Sequence, residues 1–133
     1  MLYEIKVSSA GYNAHYDITD QAAALLPRLG TAEGMAKIFA AGSTIGLVSM
    51  RYEPGAVEDL LDALESISPK GRSYAHFRTT QDSNGFAHIW SSIIGSSLLV
   101  PYRDNRLAVS DTHRIVLFDF DLQPSTRTIF VSN

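Results

Sequence analysis

The sequence predicts a single α+β domain spanning residues 1–133 and built around a mainly antiparallel β-sheet. Residues 2–8 alternate between two sets of side chains, which is the period of a half-buried strand. Residues 54–68 place their leucines on one face and their acids on another, which is the period of a helix. After residue 97, four strand-like segments follow closely, and connections this short cannot form parallel crossovers.

The other elements follow from local turn chemistry. Thr19 or Asp20 is the expected N-cap of a short first helix, which Pro27 ends and Gly30 closes. The middle of the segment 112–122 is apolar on both faces, so a second sheet or a neighbouring subunit must cover both sides. The remaining predicted elements are strands at 16–18, 34–41 and 44–50, a polar irregular segment at 70–80, a helix at 85–95, and strands at 97–103, 106–110, 112–122 and 127–132.

Composition excludes several classes of function. A net charge of −3 argues against a general nucleic-acid or membrane-surface binder. The absence of cysteine excludes disulfides, a thiolate nucleophile and a cysteine zinc site. The N-terminus lacks the pattern of a signal peptide, and no apolar run approaches the ~18 residues of a membrane helix. We therefore expect a soluble, cytoplasmic protein.

The stretch 82–101 carries the clearest indication of a site. Its helix is predicted to bury a stripe at helical spacing. His88 lies off that stripe, beside small residues that leave room for a ligand or a closely packed strand. The alternative is a structural histidine that bonds to a neighbouring strand. The predicted stripe is Phe86, Ile89, Trp90 and Ile93, and the small residues on the face of His88 are Ser91, Ser92 and Gly95.

The start of this helix is a candidate anion site. Asn84 either caps the helix or points at the same ligand as His88. The free N–H groups of Gly85, Phe86 and Ala87 would favour phosphate. His76, just upstream, could join His88 and a carboxylate as ligands of a divalent metal, since imidazole is the commonest metal ligand in proteins. A solvent-exposed loop histidine is the alternative for His76.

Three further groups could carry chemistry. Asp111 and His113 are two residues apart on a predicted strand, so the carboxylate could orient the imidazole as a general base, or the two could form a solvated ion pair. Ser43 and Thr44 follow a glycine and could bind an anion through their hydroxyls. Three arginines near one turn could clamp a diphosphate or only solubilise a hairpin end; they are Arg103, Arg106 and Arg114.

Ordered segments along nearly the whole chain carry a family resemblance. They are Tyr16-Asp17-Ile18-Thr19-Asp20, Gly42-Ser43-Thr44, Tyr52-Glu53-Pro54-Gly55, Glu58-Asp59-Leu60, Tyr74 with His76, Asn84-x-x-Ala87-His88, Gly95-x-Ser97-Leu98-x-Val100-Pro101, Arg106-Leu107 and Phe118-Asp119-Phe120-Asp121. In this set the chain resembles the YjbQ-like family, whose members are often labelled secondary thiamine-phosphate synthases.

The resemblance implies two packed, mainly antiparallel sheets with about three helices, assembled as a homotrimer. It implies a site at His88, His76 and Asn84 that takes a phosphorylated small molecule and a divalent metal, Mg or Zn. Gly85, Ser97 and Arg106 would contact phosphate. The implied reaction joins an aminopyrimidine diphosphate to a thiazole phosphate and releases pyrophosphate. Independently, four apolar side chains exceed what a small core needs and fit an inter-subunit surface: Ile93, Ile94, Leu98 and Leu99.

The sequence also departs from the family pattern. Gly42-Ser43-Thr44 replaces a His-Thr-Ser, Arg51 replaces a glutamate, Phe86 replaces an aspartate, Asn105-Arg106-Leu107 replaces a Gly-Arg-Leu, and Ser110-Asp111-Thr112-His113 replaces a Gly-Thr-Trp-Gln. Two alternatives to the transferase stay open. One is a non-catalytic or repurposed trimer that binds a phosphate or metal ligand. The other is a metal-assisted phosphoester hydrolase that uses His76, His88 and Asp111.

Overall fold

A computed structural model describes all residues, 1–133. The strands are β1 (Tyr3–Ser9), β2 (Ala14–Asp17), β3 (Gly34–Ala40), β4 (Ile45–Arg51), β5 (Ser97–Arg103), β6 (Arg106–Leu107), β7 (His113–Asp119) and β8 (Ser125–Ser132). The helices are α1 (Thr19–Leu25), which continues into a 3-10 turn at Leu26–Leu29, α2 (Pro54–Ile67), α3 (Ala75–Thr80) and α4 (Gly85–Ile94). None of these helices is long and apolar enough to cross a bilayer.

The strands form two sheets, and every pair of neighbours is antiparallel. The larger sheet has the order β1-β8-β3-β5-β6, and the smaller has the order β2-β7-β4. The predicted α+β class with two packed antiparallel sheets is therefore confirmed. The strand predicted at 106–110 is shorter than expected, because only Arg106 and Leu107 pair with β5.

Strand β7 is the centre of the fold, and its two apolar faces enter two different cores. Ile115 and Leu117 pack between the two sheets. Val116 and Phe118 pack against α2 and α4 together with Trp90. The alternation of side chains along a strand explains this division. The larger sheet and the helices thus cover both faces of β7 within one chain, without a neighbouring subunit.

Helix α4 is rotated about its axis, so that it buries a different face from the one that the sequence predicts. Phe86 and Trp90 are fully buried as expected, but Ile89 and Ile93 are exposed. The buried face also contains Ala87 and Ser91, and the Ser91 hydroxyl donates to the Ile45 carbonyl at 2.6 Å. Close packing sets this rotation, because a Cβ at Gly46 of β4 would lie 2.6 Å from Ile94 Cγ2. Ser91 therefore faces the closely packed strand β4 and not a ligand, which is the second of the two possibilities that the small residues left open.

Helix α3 lies in the segment predicted to be irregular. None of its six residues is buried, so the sequence shows no apolar periodicity there. Gly85 explains how α3 packs closely against the start of α4. A Cβ at this glycine would lie 2.7 Å from Tyr74 Cβ and 3.4 Å from His76 Cβ. The chain therefore has four helices rather than three, and the additional one positions His76.

The N-cap of α1 is Ile18 rather than the predicted Thr19 or Asp20, and Asp17 just before it provides the carboxylate that binds the first turn. Its Oδ1 accepts hydrogen bonds from Thr19 N at 3.0 Å and Thr19 Oγ1 at 2.6 Å, while Oδ2 accepts from Arg114 Nε at 2.7 Å. Burial alone would raise the pKa of Asp17, but the bonds from Thr19 and Arg114 outweigh it and lower the pKa. Thr19 Oγ1 also accepts from Ile115 N, which fixes α1 to β7.

The lowered pKa of Asp17 predicts a pH-dependent contribution to stability. The contribution is fully present above the ordinary value of 3.8 and is lost as pH falls through the lower folded-state value. We expect Asp17→Asn to reduce the free energy of unfolding near neutral pH and to reduce it less at about pH 3. Urea unfolding at both pH values measures this. Asp20→Asn, at an acid 91% exposed and paired with the same Arg114, is the control. Equal losses for Asp17→Asn at the two pH values would contradict the assignment.

Candidate functional site

A basic cleft lies where α3 meets the start of α4. It has a volume of about 470 Å³ and is lined by Arg72, His76, Gly85 and His88, with no acidic side chain among its lining residues. The His76 and His88 rings pack edge to face, with centroids 4.5 Å apart. His88 is half-buried, so its ring is neither sealed in the core nor fully solvated. The cleft therefore offers two adjacent imidazoles and a guanidinium to an anionic ligand.

Hydrogen bonds fix which nitrogen of each imidazole is free. His88 Nδ1 lies 3.0 Å from the Ser43 carbonyl oxygen. A carbonyl can only accept, so Nδ1 carries hydrogen and Nε2 of His88 keeps its lone pair. His76 Nε2 lies 3.0 Å from Asn84 Oδ1, which also accepts, so Nδ1 is the free nitrogen of His76. His88 is therefore held at Nδ1, and His76 is held at Nε2.

Asp121 fixes the orientation of the Asn84 amide. Asn84 Nδ2 donates to Asp121 Oδ1 at 3.3 Å, which leaves Asn84 Oδ1 to accept from His76. Burial opposes ionisation of Asp121, but the Leu122 N–H, Thr44 and Asn84 hydrogen bonds, with the charge of Arg127, lower its pKa. An ionised Asp121 is an acceptor only, so the amide cannot flip without losing this bond. Asn84 makes no capping hydrogen bond with its side chain and instead positions His76.

A buried ion pair between Arg127 and Asp119 lies next to Asp121. Arg127 Nε and one terminal nitrogen donate to the two Asp119 oxygens at 2.7 and 2.9 Å. Asp119 is completely buried. Arg127 also lies 3.6 Å from Asp121 and donates to Thr44 Oγ1 at 3.3 Å. The Thr44 hydroxyl donates in turn to Asp121 at 3.0 Å, so it is committed to this network and does not face a ligand as predicted.

The first turn of α4 contributes two free donors rather than three. Ala87 N–H donates to the Asn84 carbonyl at 2.9 Å, whereas the N–H groups of Gly85 and Phe86 have no acceptor in the protein. Gly85 lines the basic cleft. Ser43 contributes its carbonyl to His88, and its side chain is exposed. The sequence prediction for Gly85 thus agrees with its place beside the two histidines.

The family follows from comparison with known proteins. The model of the family described as UPF0047 protein YjbQ-like matches residues 3–133. This chain belongs to the YjbQ-like UPF0047 family. A UPF0047 protein of Archaeoglobus fulgidus is 34% identical over 115 residues, 86% of each chain. A crystal structure of a YbjQ-like protein from Sulfolobus solfataricus has a TM-score of 0.89 at 30% identity and covers 98% of this chain and 94% of its own. A family structure from Clostridium acetobutylicum has a TM-score of 0.86 at 27% identity and covers 98% of both chains.

Other predicted residues of this YjbQ-like chain lie apart from the basic cleft. Asp111 lies in the turn before β7 rather than on the strand, so side-chain alternation does not pair it with His113. His113 Nε2 instead bonds to Ser49 Oγ. Asp111 lines a separate cleft with Arg51 and Arg114, away from His76 and His88. The predicted convergence of Asp111 with the two histidines is therefore wrong.

The three predicted arginines do not form one clamp. Arg103 pairs with Glu33 at 3.4 Å on the surface, and Arg106 is exposed on the larger sheet. Arg114 belongs to the smaller sheet and is bound by Asp17 and Asp20, which raises its pKa further despite partial burial. Ser97 begins β5 and lines a separate depression with Lys37 and Phe39 instead of the basic cleft.

A divalent metal fits the site only in part. The free nitrogens of His76 and His88 could supply two ligands, and the bonds to Asn84 and Ser43 are the kind of outer support that metal-binding histidines have. However, no group of three or more histidine, aspartate or glutamate side chains is arranged to hold a metal ion. One chain alone therefore lacks a complete set of protein ligands.

Sequence reasoning missed Asp119, Asp121, Arg127 and Arg72 as parts of this site. Asp119 and Asp121 flank Phe120 at the end of the most apolar strand, where an acid must be paired to be buried. That pattern could have indicated a buried ion pair. Nothing in the sequence specifies that Arg127, on a strand of the other sheet, is the partner.

Proposed function

We propose that this chain is a thiamine-phosphate-synthase-like transferase, which joins an aminopyrimidine diphosphate to a thiazole phosphate and releases pyrophosphate. The observation that carries the proposal is the pair of adjacent imidazoles, His76 and His88, in a cleft that contains a guanidinium and no acid. His76 is hydrogen bonded through Nε2 and His88 through Nδ1, so each ring keeps its other nitrogen free. Such a cleft favours a phosphorylated ligand. The proposal agrees with the function that the family resemblance implies.

The reaction needs stabilisation of a leaving group more than it needs a nucleophilic side chain. The bond between the pyrimidine methylene carbon and the diphosphate oxygen breaks, and pyrophosphate leaves with the electron pair. A new bond forms between that carbon and the thiazole nitrogen. Negative charge therefore grows on the leaving oxygen, where fixed donors are most effective. His88 Nε2, once protonated, Arg72 and the Gly85 N–H are the donors of the cleft.

The proposed site also takes a divalent ion, Mg or Zn. When bound, such an ion would neutralise charge on the diphosphate. Imidazole ligands favour Zn, whereas Mg prefers oxygen ligands that the diphosphate itself would supply. His76 Nδ1 and His88 Nε2, in its unprotonated form, would hold the ion, and Arg72 and the Gly85 N–H would then remain as the donors to the diphosphate.

Product formation tests the proposal. Purified protein is incubated with both heterocycle phosphates and Mg²⁺, and thiamine phosphate and pyrophosphate are measured. Equimolar appearance of both products supports the transferase. Saturable binding of pyrophosphate with no product supports the second candidate, a ligand-binding protein without turnover, which the replacement of an aspartate by Phe86 in the first turn of α4 favours. The hydrolase candidate is not favoured, because Asp111 lies in a different cleft from the histidines.

We propose a homotrimer as the assembled form, in the cytoplasm and without nucleic-acid or membrane partners. Leu99 is 64% exposed and lies on the outer face of the larger sheet near Phe39, which is 47% exposed, and Ile93 of α4 is 48% exposed. Exposed apolar side chains that lie close together on one face, as Leu99 and Phe39 do, are typical of subunit contacts. Ile94 and Leu98, also expected there, are partly buried and pack against the core of the same chain.

We expect Leu99→Glu to convert the trimer to monomer, because the substitution would bury a carboxylate in an apolar contact. Sedimentation equilibrium of both proteins at one concentration measures this. Ile67→Glu is the matched control, since Ile67 is 60% exposed at the end of α2. A wild-type monomer, or a trimer that survives Leu99→Glu, would contradict the proposed interface.

A further inference from the structure

A second and larger cavity lies between the β1–β2 turn and helix α2. Its volume is about 560 Å³, within the range of small-molecule sites. Pro54, Val57 and Leu61 supply its apolar surface. None of its lining residues lines the basic cleft, so the two are separate sites on the same chain.

The charge of this cavity is opposite to that of the basic cleft. Three of its lining residues are acids, Glu53, Glu58 and Asp62, and none is lysine or arginine. The Glu53 carboxylate is already compensated, because it accepts hydrogen bonds from Gly55 N and the next backbone N–H at the start of α2. The negative charge that remains available to a ligand therefore belongs to Glu58 and Asp62.

Glu58 and Asp62 repel each other on the helix surface. They are four residues apart on α2, where like charges destabilise a helix. Neither acid forms an ion pair with a lysine or arginine of the chain. A bound cation would relieve this repulsion and would gain the apolar contacts of the cavity as well.

The opposite wall of the cavity adds an aromatic surface and a hydrogen-bond acceptor. His15 Nδ1 and the Tyr52 hydroxyl are hydrogen bonded, and their rings pack edge to face at 5.5 Å. Burial, and then the charge of Asp17, raise the pKa of Tyr52, so the phenol stays neutral. Asn13 also lines this wall, and its Oδ1 accepts no hydrogen bond from the protein.

We infer that the cavity between the β1–β2 turn and α2 binds a small organic cation, with a protonated nitrogen near Glu58 and Asp62 and an apolar or aromatic body against Val57 and Leu61. The charge of the lining selects the cation, and the apolar residues select the body. This site is independent of the transferase proposal, since it shares no residue with the basic cleft.

Benzylamine, benzyl alcohol and benzoate are suitable probes because they share one ring and differ in charge. We expect benzylamine to bind saturably in isothermal titration, and the alcohol and the acid to bind at least about fivefold more weakly, as expected for partly exposed charge pairs. In a two-dimensional NMR titration, the backbone signals of α2 and of the β1–β2 turn should shift with benzylamine.

The double variant Glu58→Gln/Asp62→Asn should lose the preference for benzylamine while its free energy of unfolding is kept or raised, because the like-charge repulsion is removed. Asp59→Asn is the matched control, since Asp59 is an exposed acid of α2 that does not line the cavity. Equal binding of benzylamine and benzyl alcohol, absence of benzylamine binding, or unchanged binding in the double variant would each overturn the inference.

Discussion

Replacing Arg127 with methionine is expected to lower the free energy of unfolding by about 3–5 kcal/mol. The substitution would leave the Asp119 carboxylate, which is 0% exposed, without its bidentate partner. Arg127 itself is only 11% exposed, so water cannot easily replace the guanidinium. At the same time, Thr44 would lose a hydrogen-bond donor and Asp121 would lose a neighbouring positive charge.

Urea unfolding of three variants checks this expectation. The double variant Asp119→Asn/Arg127→Met should recover part of the loss, because the uncompensated charge is removed. Arg103→Met is the control, since Arg103 pairs with Glu33 where both are at least 70% exposed and should cost no more than about 1 kcal/mol. A loss of similar size for Arg127→Met and Arg103→Met would show that the buried pair does not stabilise the fold.

Replacing His88 with alanine is expected to reduce the rate of thiamine phosphate formation by about 10²–10⁴-fold, the usual contribution of a positioned acid or base. His88 Nε2 is the imidazole nitrogen of this ring that is free to transfer a proton or contact the leaving group. The ring is half-buried and makes one side-chain hydrogen bond, so the fold should tolerate its removal.

His113→Ala is the matched control for His88→Ala, because His113 is also half-buried and hydrogen bonded but lies outside the basic cleft. Rates are measured at saturating substrates, and circular dichroism confirms the fold of each variant. If His88→Ala retains the wild-type rate, or if both variants lose activity equally, His88 is not the catalytic residue.

Periodicity predicted most of the fold because each sheet strand carries its own local pattern. The double-sided apolar run at 115–118 predicted two covered faces of β7, and the structure covers them with a sheet and with helices. Helix α3 was missed because it buries nothing and so has no pattern to detect. The rotation of α4 was missed because it depends on the contact of Gly46 with Ile94, between residues distant in sequence.

The candidate site was predictable where its residues are close in the chain. His76, Asn84 and His88 lie within a short stretch, and one turn between α3 and α4 brings them together. Residues from distant strands were not predictable. Asp111 was placed wrongly because it lies in the turn before β7, which begins only at His113, and Arg127 pairs across two sheets.

Titration of the protein with inorganic pyrophosphate, followed by NMR of its four imidazole rings, tests whether His76 and His88 form one anion-binding site in the basic cleft. We predict that the signals of these two rings shift together and saturate at one pyrophosphate concentration, while those of His15 and His113 stay in place. If the His76 and His88 signals do not shift when pyrophosphate is added, the two rings do not form this anion-binding site.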